Sequence, residues 1–172
     1  MLRGWRTSLV LVAAALASGA SAAPRHAPRF PSHATPAQVA SSLAVFGARV
    51  TVNALFDQNR WDYVAGRIGG GDGDWVALAP KLAPGTDAGT AESLPIALAF
   101  ALPRNAPAVL AALTAGDGAT GVEDVCGLPF IEDTVKDLAG YRRRAIAAVD
   151  KVRTPRLAAM RAACLAALRK SA

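Results

Sequence analysis

Residues 92–104 form the most apolar run in the chain: no charged side chain falls between Glu92 and Arg104. A helix built from it is apolar on every side, and such a helix is stable only when other elements surround it. At about ten residues it is half the ~20 needed to cross a bilayer. The run is therefore expected to be the buried hub of a small helical domain.

Amphipathic segments with a period near 3.6 flank this hub. Thr35-Pro36-Ala37-Gln38 has the form of a capping box with proline in the first turn. Val39, Leu43, Phe46 and Val50 then recur at helical spacing, which predicts a helix ending near Phe56 with Gly47 as its weak point. Trp61, Val64 and Ile68 mark a second helix over 60–68, and 75–82 reads as a short helix that Pro80 kinks or ends. Pro95 fits the hub helix if that helix starts close before it, with Thr86 or Thr90 as cap. Asn105 and Pro107 open another helix with Val109, Leu110 and Leu113 inward. Thr134 or Asp133 opens a longer one reaching Val152, with Val135, Leu138, Ile146 and Val149 inward. Thr154-Pro155 starts the last, whose seam is Leu157, Met160, Cys164 and Leu168. Between these lie the glycine-rich stretch 69–74, a polar loop over 114–121 and an irregular strap over 122–130. The expected fold is all-α: a compact orthogonal bundle of six or seven short helices, akin to solenoid hairpins but without a repeat period.

The N-terminus changes the picture of where this bundle works. Arg3 and Arg6 precede an apolar run over 9–17 and then Ala20-Ser21-Ala22, the order of a secretory signal peptide cleaved after Ala22. Residues 23–34 hold three prolines, both histidines and no acid, and are expected to be a disordered or extended leader to a helical domain over 35–172. Export places the two cysteines, Cys126 and Cys164, in an oxidising compartment where a disulfide is favoured. The expected location is periplasmic or secreted. Arginine outnumbers lysine and alanine is abundant, as in bacterial proteins from GC-rich genomes.

Charge is divided along the chain. Residues 49–134 carry five basic against eleven acidic groups, and 135–172 carry ten against two. The halves are expected to attract each other or separate partners. Nucleic acid, the usual partner of a basic segment, is set aside by export.

Candidate chemistry is sparse. With His26 and His33 in the leader, the domain lacks a base for a Ser-His-Asp or Cys-His system, and two distant cysteines make no zinc site. The 69–74 stretch lacks the Gly-Lys-Ser/Thr ending of a phosphate loop and the closing Glu of a calcium loop, so neither cofactor nor metal is expected. Asp74 is expected to cap the helix after that stretch. Asp72, Asp74, Asp87 and Glu92 are also candidates for acid and base on a glycan. Arg142, Arg143 and Arg144 can bind an anionic envelope component, or else form a solvated face with Arg142 paired to the acidic half. Trp61 and Trp75 bracket the glycine stretch, either as a ligand platform or as core. The resulting expectation is a binding protein for an envelope partner, of immunity or inhibitor type. The alternative is a cell-wall glycan hydrolase using the carboxylates near the glycine stretch.

Overall fold

A computed structural model describes residues 27–131 and 134–170; the expected signal peptide, His26 and Asp133 lie outside them. The fold is all-helical and carries the Cys126–Cys164 disulfide. Its helices are α1 (Pro36–Asp57), α2 (Trp61–Gly69), α3 (Gly73–Val76), α4 (Ala79–Leu82), α5 (Ala88–Ala101), α6 (Ala106–Ala112), α7 (Val122–Cys126), α8 (Leu138–Asp150) and α9 (Ala158–Lys170). Single 3-10 turns at Ala83–Gly85 and Pro155–Leu157 join the set. Several helices are one turn long, so the described residues contain more helices than expected.

Helix α5 is the hub. It packs against α2, α6 and α7, and Leu94, Leu98 and Leu102 are fully buried. Burying each such leucine is worth about 1.5–3 kcal/mol. Pro95 lies inside α5, well past its first turn, contrary to expectation. The ladder there loses the bond a Pro95 N–H would give to the Ala91 carbonyl, and burial of the ring among neighbouring helices offsets that loss. Asp87, not Thr86, is the N-cap of α5; its N–H bonds the Thr90 hydroxyl at 2.9 Å.

In α1 the capping box forms as the sequence requires: Thr35 N–H donates to Gln38 Oε1 at 2.8 Å and Gln38 N–H to Thr35 Oγ1 at 3.3 Å. Gly47, at φ 79° and ψ 172°, breaks the helical path. The turn shifts the inward stripe, so Thr51, Val52 and Leu55 are buried while Val50 is 43% exposed. Buried Ser42 and Thr51 hydrogen-bond each other at 2.9 Å across the kink.

The leader is docked over the residues that are described. Phe30 and Ala34 are buried, and Gln58 clamps the segment, accepting from Phe30 N–H and donating to the Pro28 carbonyl, both at 2.9 Å. His33 stands edge-on to Tyr63 at 5.3 Å between ring centroids. Two amide bonds and a buried phenylalanine are enough to hold this extended strand of chain, which composition alone marks as disordered.

Three further starts differ from expectation. Pro80 opens α4 instead of ending a helix, because its missing N–H costs nothing in a first turn. Asp137, whose carboxylate accepts from Gly140 N–H at 2.7 Å, caps α8. The inward face of α8 is Tyr141, Ala145 and Val149, and Leu138 is 42% exposed. At the last helix, Thr154-Pro155 opens a 3-10 turn before α9. The disulfide, with Cα atoms 5.3 Å apart, joins α7 to α9, and the strap shortens to the residues after α7.

Candidate functional site

Glycines in α2 line an apolar cleft against α5. Gly69 lies close to α5, where an added Cβ would sit 3.5 Å from the Ala97 carbonyl and from Phe100 Cβ. At Gly66, one turn earlier, an added Cβ would meet open space. Between α2 and α5 lies a groove of about 440 Å³ along Gly66 and Gly69, walled by Ile96, Ala97 and Phe100, with Arg104 beyond them on the α5 side. Phe100 is fixed from behind by Phe130 at 5.0 Å, and Phe130 by Tyr141 at 4.7 Å. Tyr141 donates its hydroxyl to the Ala99 carbonyl at 2.7 Å. Burial raises the Tyr141 pKa well above its usual value, and the nearby Arg104 cation opposes that rise.

Arg104 also borders a second cleft, of about 500 Å³, between the start of α6 and α8, where Arg144 and Lys151 supply two more cations. Its guanidinium donates to the Phe100 carbonyl at the C-terminal end of α5, which orients it there. The apolar groove and the basic cleft thus adjoin at one side chain.

The candidate residues separate on this map. Of the arginine triplet, Arg144 reaches the basic cleft and lies 3.8 Å from Asp137, both well exposed; Arg143 is exposed elsewhere on α8 and Arg142 is half-buried. Trp61 and Trp75 are core, 3% and 2% exposed, and do not form a platform. Each heads a buried stripe, and Tyr63 packs edge-on to Trp75. Trp61 does touch the groove indirectly, because its indole N–H donates at 2.7 Å to the hydroxyl of Ser93, a groove residue. Asp74 is exposed and does not cap α3; Asp72 does, accepting from Asp74 N–H and pairing with Arg67 at 2.8 Å. The glycine stretch is also tied down: Asn105 Nδ2 donates to the Gly71 carbonyl at 2.9 Å. Asp87 sits with Asp57 in a cavity of about 290 Å³ between α1 and α5. Among the described residues no cluster of three or more His, Cys, Asp and Glu is placed to hold a metal.

No family model, known protein or solved structure matches the chain. The chemistry must therefore be read from the side chains themselves. An apolar trough ending at three cations can hold a molecule with an acyl-like body and an anionic end. Ile96, Phe100, Arg104 and Lys151 were not singled out in the sequence; the spacing of Gly66 and Gly69 on a short helix was the signal that α2 has a small, groove-forming face.

Proposed function

We propose that this chain is an exported binding protein of the bacterial envelope whose groove takes an anionic amphiphile. The apolar body would lie along Ile96 and Phe100 above Gly66, and the anionic head would rest on Arg104, Arg144 and Lys151. The observation that carries the reading is the shared position of Arg104, which ends the apolar groove and begins the basic cleft. Apolar contact supplies affinity in proportion to area, and a guanidinium recognises carboxylate or phosphate by paired hydrogen bonds. Export is supported by the disulfide, which suits an oxidising compartment, and by the signal-peptide pattern of residues 1–22.

The test is titration with dodecyl phosphate while following Trp61 fluorescence, since Trp61 bonds a groove residue. Saturable binding that weakens in Arg104→Ala and in salt supports the reading. Equal binding of dodecyl maltoside, which has no charge, or none of dodecyl phosphate, rejects it.

A further inference from the structure

After the break at Gly47, α1 runs to Asp57 with one face uncovered. Its exposed residues from 49 onward are Arg49, Val50, Asn53, Phe56 and Asp57. Val50 and Phe56 are 43% and 59% exposed, high values for large apolar side chains. At about 100° per residue these five lie within an arc of roughly 120° centred on Asn53. Along the helix the order outward from Asn53 is apolar then charged in both directions, with opposite charges at the two ends; around it, Arg49 and Phe56 lie on one flank and Val50 and Asp57 on the other.

We propose that this face pairs with the same face of a second copy, antiparallel, about a two-fold axis at Asn53. That axis sets Arg49 of each copy at the height of Asp57 of the other and on the same flank as its Phe56, places Val50 beside the other copy's Asp57, and brings the two Asn53 amides against each other. The match is exact in spacing, since residues 49 and 57 are equidistant from 53 and about 12 Å apart along the helix. Such a self-complementary patch is what a two-fold interface requires. A second feature points the same way. The cavity beside Asn53 and Phe56 is lined by two carboxylates, Asp57 and Asp87, and by no basic side chain. An Arg49 arriving from a second copy supplies the missing cation.

A membrane is the competing occupant, because α1 is long and apolar enough to span one, with mean hydropathy 1.5 over a window 33% buried. Arg49, Asn53 and Asp57 in the exposed face, and the non-helical Gly47, favour the protein partner instead. One helix face is small beside a standard interface, so the dimer is expected to be reversible and salt-sensitive. This inference is independent of the groove.

Sedimentation equilibrium of the purified protein, taken into the high micromolar range at low salt, tests it. The wild type is expected to show a monomer–dimer equilibrium that added salt weakens. Arg49→Asp and Asp57→Arg should each weaken it by roughly tenfold or more, and the double reversal should restore it. Circular dichroism of each variant confirms folding, and the salt dependence of the wild type stands even if a variant fails to fold. A wild type that stays monomeric, single reversals that leave the dimer intact, or a folded double reversal that fails to restore it overturns the proposal. So does a monomer that instead floats with neutral vesicles through Phe56.

Discussion

Gly66 separates the groove's role from the fold's stability, because the two respond in opposite directions to the same substitution. The residue lies inside α2, where glycine costs about 0.5–1 kcal/mol relative to alanine through lost backbone entropy. A Cβ there meets no neighbour within 4 Å, so nothing opposes that gain. Gly66→Ala is therefore expected to stabilise the protein by about 0.5–1 kcal/mol, raising Tm by roughly 1–4 °C for a chain of this size. Gly66→Leu should keep most of the gain, since leucine is nearly as good a helix former, and its side chain would fill the trough beside Ile96 and Phe100. Urea melts measure the first effect and dodecyl phosphate titration the second. The expected pair of results is an unchanged or raised midpoint for both variants, with binding weakened in the leucine variant by tenfold or more, about 1.4 kcal/mol. A leucine variant as stable as wild type that still binds as tightly would refute the groove as the site.

The remaining predictions concern the supports of that site. Reducing Cys126–Cys164, which closes a separation of 38 residues, should cost about 3–4 kcal/mol in the chain-entropy treatment, read as a lower urea midpoint with dithiothreitol. Gly85→Ala should destabilise by at least ~1–3 kcal/mol, because its Cβ would lie 2.3 Å from the Ala48 carbonyl carbon and the backbones must part. Tyr141→Phe removes the hydroxyl bond to the Ala99 carbonyl, which keeps the Leu102 N–H as donor, and should cost about 0.5–1.5 kcal/mol at neutral pH. Because burial raises the folded pKa of Tyr141, its contribution is complete below the unfolded value near 10 and is lost as pH climbs above it, up to ~1.4 kcal/mol per pH unit. The Phe variant should lose that share of the alkaline slope in pH-dependent urea melts.

Local rules made part of this fold legible from the chain alone. The Thr35 capping box, the Asn105 cap and the Trp61, Val64 and Ile68 stripe depend on residues within a turn or two of each other, and each forms as its pattern requires. The disulfide was legible from the two cysteines and the expected export, and Cys164 is buried on α9 as its seam predicted. What was not legible depends on long-range contact. The docking of residues 27–34 rests on Gln58, some 28 positions away from Phe30. Tyr141 faces inward because its ring packs on Phe130 and its hydroxyl reaches the Ala99 carbonyl, 42 positions away. The groove needed α2 and α5 to be paired before Gly66 could be seen as an absence of side chain, and Arg104 had to be set at the end of α5 before its charge could belong to two clefts. Of the acidic candidates, Asp72 and Asp87 serve helix starts, the commonest use of such residues.

The central claim is that the groove binds an apolar body and an anionic head together, and a chain-length series tests it most directly. Affinities of decyl, dodecyl and tetradecyl phosphate should improve by roughly tenfold or more for each two methylenes added, near 0.8 kcal/mol per buried CH₂. Arg104→Ala should weaken all three by a similar factor without changing that spacing. Affinities that ignore chain length, or that survive Arg104→Ala unchanged, would contradict the account.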